Sequence, residues 1–134
     1  MKTLALLIKT LALLIAVMTS APAMAEPALV FSFIFEKIEF GPGDILDAVA
    51  VLDDRGKEPV VNFRMTQAKA AEFDALTSRY VGNLVDILVC GALKSSPVIR
   101  EPIRGGSGQI SGAFEMEEAQ IIAKQLRTGA CPGA

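Results

Sequence analysis

Histidine is entirely absent from this 134-residue chain, and its absence limits the chemistry that the protein can perform. Without an imidazole, neither a Ser-His-Asp nor a Cys-His arrangement can activate a nucleophile, and general acid–base catalysis loses its usual agent. The two cysteines, Cys90 and Cys131, are too far apart for a Cys-x-x-Cys motif, which argues against a redox dithiol or a metal site. We therefore expect no enzymatic activity, no cofactor and no metal.

The glycine-rich run Gly105-Gly106-Ser107-Gly108 comes closest to an active-site motif, but its spacing does not fit one. It lacks the Gly-x-Ser-x-Gly order of a nucleophile elbow. Ser111 stands where a dinucleotide-binding loop needs its third glycine. The run is typical of a loop whose glycines permit positive φ angles, rather than of a phosphate-binding cradle.

The first 25 residues have the pattern of an export signal. Lys2 provides a positive start, residues 11–18 are apolar, and Ala23-Met24-Ala25 places small residues before a cleavage point at Glu26. The alternative is an uncleaved membrane anchor. Lys9 interrupts the apolar stretch and leaves it shorter than the roughly 20 residues that a spanning helix needs. The pattern predicts a signal peptide over residues 1–25 and a periplasmic mature protein.

The mature chain, residues 26–134, has the length of one compact domain and no second apolar run. Removal of Lys2 and Lys9 leaves 11 basic against 15 acidic residues, a net charge of −4. A mildly acidic chain with scattered cations has no electrostatic footprint for nucleic acid or anionic lipid. We expect neither partner, and no membrane span in the mature chain; the oligomeric state stays open.

Both cysteines lie in the mature chain, where export to an oxidising compartment favours a disulfide. A bridge between Cys90 and Cys131 would close a loop of about 40 residues and contribute about 4 kcal/mol in the chain-entropy model. Two free thiols are the alternative at this point, because the sequence does not show that the sulfurs meet.

Strand patterns occupy most of the mature chain. Apolar runs predict strands over residues 29–35, 45–52, 59–65 and 84–89, with further extended pieces over 92–99 and 109–114. In the third run, Val61, Phe63 and Met65 alternate with Asn62 and Arg64, which indicates a sheet with one covered face. The run over residues 84–89 is the most apolar and predicts a central strand.

Two helices separate these strands. Thr66 is a suitable N-cap for a helix reaching about Tyr80, and a second helix is predicted from Met116 to Arg127, with Gly129 as its stop. The residues expected to face the core are Ala70, Phe73, Thr77 and Tyr80 in the first helix, and Ala119, Ile122, Ala123 and Leu126 in the second. The order predicts an α+β fold, a mainly antiparallel sheet with two helices packed on it.

Three segments in this order resemble the head subdomain of the first periplasmic domain of the SecD/SecDF protein-export factors. They are Pro59-Val60-Val61-Asn62-Phe63 with the helix that carries Phe73 and Thr77, then residues 84–99, then residues 103–132. The last is the strongest, with I-x-x-G-x-G-x-I-S-G-x-F followed by E-A-x-x-x-A-x-x-L-R-x-G and a proline. The resemblance covers about residues 44–132 and identifies residues 26–134 as a single head-like domain.

The chain departs from the family pattern at both cysteines. Cys90 stands where the family has aspartate before a glycine, and Cys131 stands where it has leucine before the proline. Two such changes imply a compensating pair, which supports the disulfide hypothesis. The multiple membrane helices and the base subdomain of the full factors have no counterpart in this sequence.

The resemblance implies a non-enzymatic periplasmic binding module that contacts exported or unfolded polypeptides, and makes the Sec translocation machinery a possible partner. The alternative is a structural or regulatory domain that binds one specific envelope protein. The candidate partner-binding loop comprises Arg100, Arg104, Gly105, Gly106, Ser107 and Gly108. Arginines that flank glycines on a surface loop are suited to contact a partner, since loops often carry function.

Overall fold

The computed structural model describes residues 26–132 and contains seven strands and two helices within that range. The predicted signal peptide lies outside the described residues. In chain order the elements are β1 (Leu29–Ser32), β2 (Lys37–Phe40), β3 (Ile45–Leu52), β4 (Pro59–Met65), α1 (Gln67–Arg79), β5 (Asp86–Val89), β6 (Ala92–Ser95), β7 (Ser107–Ser111) and α2 (Met116–Thr128). This composition confirms the predicted α+β class.

The strands form two antiparallel sheets. The four-stranded sheet has the order β2-β1-β5-β6, and the three-stranded sheet has the order β3-β4-β7. Two β-bulges interrupt the ladders, one in β3 between Ile45 and Asp47 and one where β5 pairs with β6. The four free edges are therefore those of β2, β6, β3 and β7.

The alternation in β4 has the predicted outcome. Val61, Phe63 and Met65 are at most 4% exposed, whereas Asn62 and Arg64 are exposed. Strand β4 is the middle strand of its sheet, and its inner face contributes to the core. Its outer face exposes Asn62 and Arg64, while Val60 at the start of the same face is buried.

Four phenylalanines join the two sheets and the first helix. Phe31 and Phe40 come from the four-stranded sheet, Phe63 from the three-stranded sheet and Phe73 from α1. The ring of Phe31 lies 4.8 Å from that of Phe73 and 6.2 Å from that of Phe63, centroid to centroid. Edge-to-face and tilted pairs of this kind add to the burial energy of the core.

Both helices have the expected ends and buried faces. The Thr66 hydroxyl accepts the Lys69 N–H at 3.3 Å, and Gly129 ends α2 in the left-handed conformation. In α1, Phe73 and Thr77 are buried and Ala70 is half-buried, and Tyr80 is buried directly after the helix. In α2 the predicted residues Ala119, Ile122, Ala123 and Leu126 are buried. Neither helix in residues 26–132 is long and apolar enough to cross a membrane.

Strand boundaries differ from the predictions in several places, and both β6 and β7 end three or more residues before the predicted ends at residues 99 and 114. The first apolar run turns back at residues 33–36, where Phe33 N–H bonds to Glu36 O, and so forms the start of a hairpin rather than one strand. The central strand β5 begins at Asp86, since Leu84 makes only an isolated bridge to Val98. Strand β7 begins at Ser107, two residues earlier than predicted.

Candidate functional site

The outer face of the three-stranded sheet has a depression with a volume of about 480 Å³, which we call the outer depression. It follows from the twist of a narrow sheet whose outer side is free of helices. The lining residues come from all three strands: Asp47, Val49, Asn62, Phe63, Arg64, Ser107, Gly108 and Gln109. Five of the eight have polar or charged side chains, whereas Val49 and Phe63 are apolar and Gly108 has no side chain.

Cross-strand register arranges the depression in rows. Arg64 in the middle strand has Asp47 on one side and Ser107 on the other, and the next row is Val49, Asn62 and Gln109. The Gln109 side chain donates from Nε2 to Asn62 Oδ1 at 2.9 Å. These rows expose amide, hydroxyl and guanidinium groups that can bond to a peptide backbone.

Arg64 is the main cation of the outer depression. The carboxylate of its register partner Asp47 accepts the Ala48 N–H at 2.9 Å, and it forms no ion pair with Arg64. Within residues 26–132, no carboxylate oxygen lies within 4.0 Å of the Arg64 guanidinium. The five N–H groups of this side chain are therefore available to carbonyl or carboxylate oxygens of a ligand.

A close packing contact explains the glycine in β7. A Cβ atom at Gly108 would come within 2.5 Å of the Phe63 ring. Phe63 is 2% exposed and belongs to the aromatic core, so it cannot move aside cheaply. Gly108 thus permits β7 to lie against β4 and complete the floor of the depression.

The predicted partner-binding loop is divided between two environments. Ser107 and Gly108 belong to β7 and line the outer depression, whereas Arg100, Arg104, Gly105 and Gly106 precede the strand. Arg104 Nε lies 3.4 Å from Asp74 Oδ1 of α1, and its side chain is 73% exposed. Arg100 is exposed, and no described residue pairs with it. The loop contributes two residues to the depression, and its arginines lie outside it.

This loop is anchored to α1 and β4. The Thr77 hydroxyl is buried, donates to Phe73 O at 2.8 Å and accepts the Ile103 N–H at 2.8 Å. Gly106 O accepts the Met65 N–H at 2.8 Å, next to the start of α1. The loop before β7 therefore has a defined path, because these hydrogen bonds hold it at Ile103 and at Gly106.

Sequence reasoning had not selected Arg64, Asn62 and Gln109 as site residues. The alternation in β4 had placed Asn62 and Arg64 on the uncovered face, which is the signal that could have identified them. Gln109 could not be found in this way, since its position beside Asn62 depends on the pairing of β7 with β4.

A second exposed surface lies at the hairpin tip, residues 33–36 between β1 and β2. Phe35 is 86% exposed and Ile34 61% exposed, while Phe33 is buried and stacks on Tyr80 with centroids 4.9 Å apart. The Glu36 carboxylate accepts the Tyr80 hydroxyl at 2.7 Å and Arg79 Nη2 at 2.9 Å. The tip therefore presents two apolar side chains from an anchored turn.

The same contacts shift two pKa values. The hydrogen bond from Tyr80, followed by that from Arg79, holds the pKa of Glu36 below its ordinary value. The hydrogen bond to Glu36 raises the pKa of Tyr80.

The two cysteines meet at the opposite end of β1 from the hairpin tip. Cys90 follows β5 and Cys131 follows α2, and the structure joins their sulfurs as a disulfide. Among residues 26–132, no three Cys, Asp or Glu side chains are grouped so that they could hold a metal ion.

Comparison with known proteins gives one consistent family. Residues 23–133 match the family model of the SecDF P1 head subdomain. The chain is 34% identical over 99 residues to protein translocase subunit SecD of Acetobacter pasteurianus, covering 74% of this chain and 19% of the relative. It is 38% identical over 89 residues to SecDF of Thermus thermophilus, covering 66% of this chain and 12% of the relative.

The solved structures agree with this result. One describes a membrane component SecDF that enhances protein export, and matches with a TM-score of 0.60 and 38% identity over 66% of this chain and 40% of its own. Another shows SecDF in a super-membrane-facing form, with the same TM-score and identity over 12% of its length. The chain thus spans less than a quarter of the SecD and SecDF sequences compared above, and 40% of the first of the two structures.

Proposed function

Because the chain belongs to the SecDF P1 head subdomain family, we propose that it is a non-enzymatic binding module that contacts exported or unfolded polypeptides. The single observation that carries the proposal is the outer depression, where Arg64 and the polar side chains of β4 and β7 face outward without a covering element among residues 26–132. Amide, hydroxyl and guanidinium donors bind peptide carbonyls regardless of side-chain sequence, which suits a ligand of varied sequence.

The proposal includes the cellular compartment in which the domain acts. A signal peptide over residues 1–25, cleaved after Ala25, would deliver the domain to the periplasm, where exported chains emerge before they fold. The Sec translocation machinery is the proposed partner because the relatives are subunits of it by name. The domain itself would supply contact with the polypeptide, while the full-length relatives extend far beyond the part that this chain matches.

Binding to a polypeptide that cannot fold tests the proposal. We expect the purified mature domain to bind fluorescently labelled α-lactalbumin that has been reduced and carboxymethylated, and to bind native α-lactalbumin at least about tenfold more weakly. Arg64→Ala should weaken binding by about three- to tenfold, since it removes charge-assisted hydrogen bonds. Arg55→Ala, in the exposed turn between β3 and β4, is the matched control and should bind as the wild type does. Equal affinity for folded and unfolded protein would contradict the proposal.

The hairpin tip favours a second candidate, a structural or regulatory domain that binds one specific envelope protein. Phe35 is 86% exposed, and its neighbours Phe33 and Glu36 anchor the turn that carries it. An exposed aromatic side chain on an anchored turn resembles the aromatic anchors that fill pockets of folded partners. In this case Phe35→Ala, and not Arg64→Ala, would abolish the interaction. A stable complex of fixed stoichiometry, recovered by in-cell photo-crosslinking from position 35, would support this candidate over promiscuous capture from position 62.

A further inference from the structure

The free edge of β7 is chemically different from the other three sheet edges. Edge strands expose rows of unpaired N–H and C=O groups, and proteins normally protect them with charged side chains, bulges or covering elements. Each of the other edges in residues 26–132 carries such a protection.

The β2 and β3 edges are each closed by a cation from a helix. Lys69 Nζ of α1 donates to Glu39 O of β2 at 2.8 Å. Arg127 Nη1 of α2 donates to Ala48 O of β3 at 2.7 Å, and the Asp47 carboxylate accepts the Ala48 N–H. A bulge between Ile45 and Asp47 further distorts the β3 edge.

The β6 edge is shortened and bulged. Its pairing with β5 shifts between Leu88 and Ile87, which leaves Lys94 outside the ladder. The Lys94 ammonium forms an ion pair with Glu118 of α2 at 2.9 Å. The backbone carbonyl oxygen of Lys94 lies next to Gly112. This edge is therefore partly occupied by the segment that follows β7.

Strand β7 has none of these protections. Its five residues, Ser107 to Ser111, are uncharged and form an unbroken register with β4. Met65 N–H bonds to Gly106 O, so by antiparallel alternation the next ladder bonds fall at Gly108 and Ile110. The N–H and C=O groups of Ser107, Gln109 and Ser111 therefore point away from β4, and no partner for them is found among residues 26–132.

We propose that an extended segment of a non-native polypeptide adds to β7 as a fourth strand of the three-stranded sheet. Three outward residues at alternate positions offer three donors and three acceptors along a strand of about 17 Å. Main-chain hydrogen bonds of this kind do not depend on the sequence of the added strand. The inference rests on the proposed function and specifies how the polypeptide is bound there.

The outer depression lies beside the added strand and supports it. Ser107 and Gln109 belong to both features, since their side chains line the depression and their backbone groups form the free edge. Alternate side chains of the added strand would extend the outer face next to these two residues. Arg64 lies one strand away and can reach a carbonyl or acidic side chain of the bound segment.

A second copy of this chain fits the edge less well than a polypeptide. Pairing of β7 with its own copy would use five residues per chain, with polar side chains from Ser107, Gln109 and Ser111 on the exposed face. Stable dimers bury roughly 1,200 Å² or more with an apolar centre, and this strand has no apolar outer face to provide one. An unfolded chain needs only transient contact and brings its own unpaired backbone groups.

A proline at the centre of the edge tests the inference. Gln109→Pro removes an N–H that the ladder with β4 does not use, so the domain should fold, as proline is tolerated on edge strands. Gln109→Ala is the matched control, since both variants lose the Gln109–Asn62 hydrogen bond while only alanine keeps the outward N–H. We expect Gln109→Pro to bind reduced, carboxymethylated α-lactalbumin at least about tenfold more weakly than Gln109→Ala, since it removes a backbone donor and adds a ring at the edge.

Amide hydrogen exchange on the wild type gives a second measurement that does not depend on a variant. Saturating probe should slow exchange at the amides of Ser107, Gln109 and Ser111, and leave those of Lys37 and Glu39 on the β2 edge unchanged. If the wild type binds the probe but neither result appears, strand addition is wrong and the proposed function survives. If the wild type does not bind the probe, the proposed function itself fails. Concentration-dependent dimers that Gln109→Pro abolishes would overturn the inference in favour of a second copy.

Discussion

The Cα atoms of Cys90 and Cys131 lie 5.4 Å apart, although their positions in the chain differ by 41. Cys90 lies in the turn between β5 and β6, and Cys131 follows the C-terminal end of α2. The bridge therefore links the end of the last helix to the four-stranded sheet, while most contacts of that helix are with the other sheet. It joins the two sheets through α2.

We predict that protein purified without reductant contains this disulfide and that its loss lowers the free energy of unfolding. Mass spectrometry after alkylation without reductant should find no labelled thiol, and reduction should add two labels. The Cys90→Ser/Cys131→Ala variant should lose about 4 kcal/mol of unfolding free energy, because a loop of about 40 residues is no longer closed in the unfolded state. Wild type in reductant is the control and should unfold at the same denaturant concentration as the variant. Two alkylatable thiols in unreduced protein would contradict the prediction.

The backbone at Cys90 leads to a second prediction. Cys90 and Gly91 have φ angles of 49° and 78°, and Val89 pairs with Ala92, so they form a two-residue turn with both central residues at positive φ. Asparagine and aspartate tolerate this conformation better than cysteine does. In the Cys131→Ala background, the free energy of unfolding of Cys90→Asn should exceed that of Cys90→Ser by about 1 kcal/mol. Urea unfolding of the two variants measures this difference. Equal stability of the two would show that the turn adapts to its residue.

The contacts of Glu36 predict a dependence of stability on pH. Hydrogen bonds from Tyr80 and Arg79 lower the pKa of Glu36 in the folded state. The contribution of Glu36 to the free energy of unfolding is complete above the ordinary glutamate pKa of about 4.3. It is lost as the pH falls through the lower folded-state pKa. At high pH the opposite sign applies to Tyr80, whose pKa is raised: its contribution is lost as the pH rises through the folded-state value.

Urea midpoints measured from pH 7 down to pH 3 check this prediction. Glu36→Gln should lower the urea midpoint at pH 7, and its midpoint should decrease less than that of the wild type between pH 7 and pH 3. Glu58→Gln, whose side chain has no ion-pair or hydrogen-bond partner among the described residues, should leave the fall as it is in the wild type. Parallel curves for the wild type and Glu36→Gln would show that the hairpin tip is not anchored in this way.

Thr77 predicts how the loop before β7 is held. Its buried hydroxyl is the acceptor for the Ile103 N–H, so Thr77→Val leaves that N–H without its partner. The expected cost is about 1–3 kcal/mol, with faster amide exchange at Ile103 and in residues 100–106. Thr77→Ser keeps the hydroxyl and should preserve slow exchange at Ile103, although it is also destabilised by the lost methyl group. Unchanged exchange in Thr77→Val would show that the loop is held by other contacts.

Local pattern was sufficient for several elements. The alternation over residues 59–65 identified the buried face of β4, and the helical spacing of Ala119, Ile122, Ala123 and Leu126 identified the buried face of α2. These predictions succeeded because burial imposes the period of each element on its own residues. The hairpin at residues 33–36 was missed because an apolar run over residues 29–35 does not reveal where the chain turns back.

By itself, the sequence determined the α+β class, the family and the two helices, since these depend on periodicity, caps and a motif in fixed order. Tertiary structure alone decided that the strands divide into two sheets, that Gln109 lies beside Asn62, and that the β7 edge is left open while cations close the β2 and β3 edges. Those features depend on contacts between residues far apart in the chain, and no local period encodes which strands will pair. The candidate site is made by such a pairing, between β4 and β7, so its residues could be recognised as a group only after the chain had folded.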